Sequence, residues 1–185
     1  MKEIKLTNSD KIALVDDDKY EELNKYNWRI NESGYVIRTK INKENANYPE
    51  IIYMHRQILD ILLFSSEICT DHINHIRTDN TLVNLRKCTK SENGKNIGIK
   101  ARKTKNTTSK FKGVCWHAKG KKWGSSIMVN YKSIHIGLFD DEIRAALAYD
   151  QIARILHKNF ATLNFPNKCE NIVEINKITK FLKGE

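Results

Sequence analysis

Between Gly94 and Phe139 the chain carries eleven Lys and Arg and not one Asp or Glu. Within that acid-free stretch the apolar residues alternate. Trp123, Ser125, Ile127 and Val129 interleave with Lys122, Gly124, Ser126 and Met128, and Ile134, Ile136 and Leu138 interleave with Ser133, His135 and Gly137. Period two means a sheet with one buried and one exposed face. A merely solvated surface mixes charge signs. This stretch is therefore expected to fold as a cationic sheet whose partner is a polyanion, nucleic acid before anionic membrane. Residues 1–93 hold fourteen basic and fifteen acidic groups and residues 140–185 hold seven of each, so the stretch contains the whole excess of the +10 chain.

Several classes are excluded. Among 185 residues, no run approaches the roughly 18 apolar residues that cross a bilayer. The N-terminal segment MKEIKLTNSDK lacks the apolar centre of a signal peptide, which makes a cytoplasmic protein the expectation. Ile, Leu, Tyr and Trp are too frequent for a disordered basic tail. Cys69, Cys88, Cys115 and Cys169 form no CxxC pair, so the usual zinc spacing is missing and free buried thiols are expected. The length suits one or two small domains.

Ile4–Leu6 and Ile12–Val15 read as short strands, and Asp16, Asp17 and Asp18 as caps for a helix through Tyr20 and Leu23. Trp28–Ile30 and Tyr35–Ile41 suggest a hairpin about Glu32, Ser33 and Gly34. A polar loop, Asn42–Pro49, precedes a strand at Ile51–Met54 and a helix over His55–Leu63. Residues 69–97 read as strand, long loop, strand and short helix, with Ser91 near the helix start. Residues 98–110 read as a basic linker expected to lie on DNA. Residues 111–139 give three strands, and Asp140 caps a helix reaching about His157. In that helix small Ala145, Ala146, Ala148 and Ala153 permit close approach to the sheet, and Ile143, Leu147, Ile152, Ile155 and Leu156 supply apolar surface. The tail 168–185 ends in an amphipathic candidate, Ile172 to Leu182, with packing on the domain as its ordinary role.

One constellation carries chemistry. Cutting a phosphodiester needs an activated water, a cation on the phosphate and stabilisation of the leaving oxygen. A histidine near neutrality can take the water's proton. A carboxylate and an amide oxygen are hard ligands for Mg²⁺ or Mn²⁺. Asp71, His72 and Asn93 supply one of each. Neighbours on a strand point to opposite faces, so Asp71 and His72 could share a site only at a frayed or bent strand end. Polar loop residues without catalysis are the bland alternative.

The order His55-Arg56, Asp71-His72-Ile73-Asn74, Asp79-Asn80, Asn84-Leu85-Arg86 and Ser91-Glu92-Asn93 resembles the HNH (His-Me finger) endonucleases, nearest to their phage and intron-associated homing type. The resemblance covers about residues 53–97. It implies a ββα-metal core gripping one divalent ion, Mg²⁺ or Mn²⁺. By position, His72 corresponds to the general base, Asp71 and Asn93 to the metal ligands, and Asn84 to the Asn that ties the loop and orients the base. The last motif position is Asn93 rather than His. His55 is expected to make a structural hydrogen bond, His75 to be a spare, solvent-exposed loop histidine with a phosphate contact as its second role, and Arg86 to face the scissile phosphate or, more ordinarily, to make a plain DNA or surface contact.

A second resemblance covers about residues 109–167. Phe111-Lys112-Gly113-Val114, Lys122-Trp123, His135-Ile136-Gly137-Leu138-Phe139, Ala145 to Asp150 and Asn164-Phe165-Pro166 are similar to an Apetala/ethylene-response-factor DNA-binding domain. Parity puts Cys115, His117, Ser126, Met128, Ser133 and His135 on the outer sheet face, where that family reads bases with arginines largely replaced here. Arg102, Lys103, Lys105, Lys110, Lys112, Lys119, Lys121, Lys122 and Lys132 are expected to neutralise phosphates, with His117 and His135 beside them. Trp116, Trp123, Ile127 and Ile136 read as core.

The sequence thus implies an α+β protein. An N-terminal α+β segment and a ββα-metal (HNH) nuclease core occupy 1–97. A linker follows at 98–110, a three-stranded antiparallel sheet plus helix at 111–167, and a tail at 168–185. The implied function is metal-dependent cleavage of double-stranded DNA, with no membrane and no obligatory protein partner. A DNA-binding protein or transcription regulator that does not cut is the alternative.

Overall fold

The computed structural model describes residues 1–41, 49–61, 68–96, 108–129 and 132–174. The chain divides into two compact units, Met1–Asn93 and Gly94–Glu185. It mixes helices with four small antiparallel sheets.

In the first unit β1 (Lys2–Leu6) pairs with β2 (Ser9–Val15), and α1 (Asp17–Leu23) follows. Strands β3 (Arg29–Ile30), β4 (Val36–Lys40) and β5 (Glu50–Tyr53) form a three-stranded sheet. A short helix, α2 (Met54–Ile58), leads towards the hairpin of β6 (Ile68–His72) and β7 (Leu85–Thr89), and α3 (Lys90–Lys95) follows directly. The core gathers Ile4, Val15, Leu23, Trp28, Val36, Met54 and Leu85. Trp28 is fully buried because its one polar atom is satisfied: Nε1 donates to the Leu23 carbonyl at 2.8 Å. A parallel bridge joins Leu14 to Asp79, with Leu14 N donating to Thr78 O at 2.9 Å and Asn80 N to Leu14 O at 2.8 Å. The long β6–β7 loop is thereby stitched to β2.

One local expectation needs correction and two gain detail. Helix α2 ends at Ile58, short of the expected Leu63, of which residues 62 and 63 lie outside the described chain. Asp60 adopts the left-handed conformation (φ 50°), Ile61 N donates to Arg56 O and Asp60 N to Gln57 O. This is a Schellman closure built without the glycine that usually announces one. Asp16 stands at the N-cap of α1, but its carboxylate makes no cap bond and accepts instead from Leu82 N at 2.6 Å. Ser91 is the second residue of α3, near its start as expected, and the cap ahead of it is Thr89. Thr89 Oγ1 accepts from Glu92 N at 3.2 Å, and the Glu92 carboxylate accepts from Thr89 N at 2.8 Å. Those reciprocal bonds are a capping box.

In the second unit β8 (Val114–His117), β9 (Lys122–Val129) and β10 (Lys132–Phe139) form an antiparallel sheet in the order β10-β9-β8. Helix α4 (Glu142–His157) packs on it, and its N-cap is Asp141, accepting from Arg144 N at 2.8 Å, not Asp140. Ala145, Ala146, Ala148 and Ala153 are completely buried, while Ile143 and Ile155 face solvent, contrary to expectation. A bulge between His135 and Gly137 shifts the alternation of β10. Leu138 then pairs with Gly124 and is exposed, and Phe139 takes the inward place opposite Trp123. Trp116 is another correction. It has the inward parity but is 39% exposed, edge-on to Trp123 with centroids 5.0 Å apart. The start of the tail docks on α4, where Gln151 Oε1 accepts from Ile172 N and Val173 N. Residues 42–48 of the polar loop, 97–107 of the basic segment and 175–185 of the tail lie outside the described chain.

Asp150 is fully buried on α4 and accepts from Asn164 N at 2.8 Å and Phe165 N at 2.7 Å. Asn164 in turn exchanges two bonds with the backbone of Lys112, which holds the chain entering β8. Burial raises the Asp150 pKa and these bonds oppose the rise. Gly113 lies between (φ 76°), where a Cβ would meet the Tyr149 ring at 2.0 Å and Ser126 O at 2.7 Å. Neither the backbone angle nor the space admits a side chain. Gly113→Ala is expected to destabilise this unit by about 2 kcal/mol or more in denaturant unfolding. Gly120→Ala, with nothing within 4 Å of the added carbon, should change it little.

Candidate active site

The site is built on the end of β6 and the loop from Ile73 to Asn84. Asp71 and His72 are the last two residues of β6, opposite Arg86 and Leu85. Both are buried, at 5% and 6% exposure, and they find different partners. Asp71 Oδ2 accepts from Arg86 Nε at 2.8 Å, a cross-strand ion pair. His72 packs against the rings of Tyr35 and His55, with centroids 6.0 and 5.1 Å away. The two side chains have different neighbours, but the Asp71 charge still reaches the His72 ring.

Asn84 closes the loop. Its Oδ1 accepts from Asn74 N at 2.9 Å, its Nδ2 donates to Asp79 O at 2.8 Å, and its carbonyl accepts from Ile73 N at 2.9 Å. His75 N donates to His72 O at 3.0 Å, and His75 takes a left-handed backbone (φ 63°). Asn80, fully buried, presents Oδ1 to His72 Nε2 at 3.4 Å. An amide oxygen only accepts, so this contact is a hydrogen bond in the tautomer that carries its proton on Nε2. Asn80 was quoted in the motif without a role; its complete burial next to a histidine is a tertiary fact with no local signal.

Burial is the largest influence on His72 and lowers its pKa, helped by Arg77; the Asn80 bond and the Asp71 charge act the other way. His55 is lowered further, to about 3, by burial and then by His72 and Arg56. His55 was expected to make a structural hydrogen bond. Its Nδ1 has no partner, and the ring is instead wedged among Tyr35, Tyr53 and His72.

Asn93 lies on α3, half-buried, and makes no side-chain hydrogen bond among the described residues. Asp71 and Asn93 offer hard oxygen donors, which suit a divalent cation that takes one or two protein oxygens and completes its shell with water and phosphate. Among the described residues no three His, Cys, Asp or Glu converge.

In the second unit Lys119, Lys121, Lys132, His117 and His135 are exposed, and Lys110 Nζ lies over the Phe111 ring at 5.2 Å. His117 Nε2 is 3.4 Å from Cys115 Sγ. Two lysines are engaged within the protein: Lys112 Nζ donates to Lys95 O at 2.9 Å, and Lys122 pairs with Asp140 at 2.9 Å. Arg102, Lys103 and Lys105 lie outside the described residues. All four cysteines are free thiols, but Cys115 and Cys169 are exposed rather than buried as expected, Cys69 is half-buried and Cys88 is buried. No helix among the described residues is long and apolar enough to cross a membrane.

A β-hairpin closed by an asparagine, with Asp-His at the end of its first strand and a helix straight after its second, is the outline of an HNH-type site. The chain matches no family model. It is 30% identical to an uncharacterized HNH endonuclease of Acanthamoeba polyphaga mimivirus over 161 residues, which is 85% of this chain and 75% of that protein. The chain belongs to the HNH endonuclease family. It is also 30% identical over 88 residues, 48% of this chain and 25% of the relative, to an AP2/ERF and B3 domain-containing transcription factor of Arabidopsis thaliana.

The buried histidines predict an acid weakness. Between the ordinary value near 6.5 and the folded value of about 3, an unfolded chain binds a proton at His55 that the folded chain does not. Stability is therefore present above pH 6.5 and lost as pH falls towards 3, by up to about 1.4 kcal/mol per pH unit for one such group. His55→Phe, which keeps a ring among the tyrosines, should remove that share of the slope in denaturant titrations run across this range.

Proposed function

We propose that the protein is a metal-dependent DNA endonuclease of the homing type, encoded by a phage or another mobile element, with His72 as its general base. The observation that carries this reading is the seat of His72. It is buried at a strand end, its Nε2 stands 3.4 Å from Asn80 Oδ1, and burial favours its neutral ring. In the proposed reaction Nδ1 takes a proton from water as its oxygen forms a bond to phosphorus. The P–O3′ bond breaks, O3′ leaves with the bonding pair and takes a proton from solvent water, and the products carry a 5′-phosphate and a 3′-hydroxyl. Asp71 and Asn93 would hold a Mg²⁺ or Mn²⁺, which supplies Lewis-acid charge at the phosphate when bound. Asn84 keeps the loop closed so that the base does not drift.

Double-stranded DNA is the proposed substrate. The second unit carries eighteen basic and seven acidic residues, and likeness to a DNA-binding transcription factor supports a DNA-holding role for it. That likeness, together with the commitment of Asp71 to Arg86, also favours a second reading, a DNA-binding protein that does not cut.

A plasmid-nicking assay separates the two. Wild-type protein with Mg²⁺ or Mn²⁺ is expected to nick supercoiled DNA, EDTA to stop it, and His72→Ala to abolish nicking while binding persists. Unchanged nicking by His72→Ala, purified free of host nucleases, would remove the catalytic assignment. Replacing exposed Lys119, Lys121 and Lys132 together by Ala should weaken binding to all sequences alike. It should flatten the dependence of log K on log salt by about 0.9 per lysine.

A further inference from the structure

Phosphodiester cleavage needs positive charge on the phosphate as well as a base, and an arginine can add to a metal's charge; Arg86, however, is committed to Asp71. We propose that Arg77 is the residue that grips the scissile phosphate; this rests on the nuclease reading given above. Arg77 is exposed on the loop between His72 and Asn84. Its guanidinium carbon lies 4.5 Å from the centre of the Tyr35 ring, and its Nη1 donates to the Ser33 carbonyl. The same Tyr35 ring packs against His72 at 6.0 Å and His55 at 5.2 Å. One aromatic ring thus holds the guanidinium and the base as neighbours.

No carboxylate among the described residues pairs with Arg77. Asp79, the acid of the same loop, is already taken: Oδ2 accepts from Asn74 and Oδ1 from Thr81. The Arg77 charge also reaches His72, where it helps to lower the imidazole pKa. A guanidinium has five N–H donors in a planar fork, and Ser33 takes one. The remaining donors suit two oxygens of one phosphate, and stacking on Tyr35 has already ordered the side chain. Arg77 has no counterpart among the motif positions, so sequence spacing gave no reason to choose it over Arg86. The choice follows from which arginine already has a carboxylate.

The test uses the full chain and two readouts. In metal-free buffer, affinity for a DNA duplex is measured against salt. Arg77→Ala should flatten the slope of log K on log salt by about 0.9, the share of one phosphate contact, and Arg77→Lys should keep it. With Mg²⁺ or Mn²⁺, single-turnover nicking by Arg77→Ala should fall about 100-fold and recover in part with added guanidinium ion. A structural role would give neither a slope change nor a rescue. An unchanged slope overturns the proposal, as does a lower slope with normal nicking, since the phosphate would then not be the scissile one. If wild-type protein never nicks while the slope falls, the nuclease reading fails and the Arg77–phosphate contact stands.

Discussion

The constraint on which the site depends is the closure of the β6–β7 loop by Asn84. Twelve residues, Ile73 to Asn84, would otherwise be a long excursion between two short strands. The Asn84 side chain spans that excursion with one acceptor and one donor, tying Asn74 to Asp79. Both bonds are made by a buried amide, so losing either would leave a desolvated polar group, which costs more than the bond contributes. With the loop closed at its base, the bridge from Leu14 to Asp79 can fix its far side, and Asn80 is carried inward to His72. Arg77, on the outward part of the same loop, remains exposed.

Burial then decides the electrostatics. Two histidines lie with ring centres 5.1 Å apart. Were both charged, desolvation and mutual repulsion would act together. Both are pushed towards the neutral form, His55 the further because nothing bonds to its Nδ1. The asymmetry assigns them different parts. His55 is an apolar filler between tyrosines. His72 keeps an acceptor for one nitrogen and a carboxylate next in sequence, which hold its affinity for a proton nearer the ordinary value. The Asp71–Arg86 pair has its own logic. A carboxylate at 5% exposure needs a partner, and Arg86 stands directly across the strands from it.

What the sequence disclosed follows the range of each interaction. Period-two apolar patterns marked β9 and β10, and turn residues marked the β3–β4 hairpin, because those signals are local. The order of Asp71, His72, Asn84 and Asn93 was legible through family likeness. Their partners were not. That Asp16 would bond Leu82 N, or Asn80 reach His72 Nε2, depends on β2 lying beside the loop, which no short pattern encodes. The bulge at Ile136 reversed the face of Leu138 without any glycine or proline at the bulged position itself. Helix α2 ended early on an aspartate in a left-handed conformation, where a glycine would have been the expected signal. Arg86 matched a motif position and Arg77 did not. Which of them bears an unshared charge is decided by a cross-strand neighbour, and so by register.

The distribution of charge gives these local facts a common sense. Met1–Asn93 holds fourteen basic and fifteen acidic residues, so the first unit has no general field with which to attract a polyanion. In such a unit Arg77 stands out by its place, on the Tyr35 ring that also packs against His72. The second unit has the opposite design. Its outer sheet face carries Cys115, Ser126, Met128, Ser133 and exposed Leu138, with lysines at the β8–β9 turn. Lysine is a point charge on a flexible stem and lacks the planar fork that pairs bidentately with guanine. On the proposed reading, that face would supply affinity, largely blind to sequence and sensitive to salt. Selectivity would then have to come from elsewhere: from the shape and deformability of the DNA, or from how well a phosphate reaches Arg77 and His72 together. An enzyme built so would bind many duplexes and cut few, because holding and cutting draw on different residues.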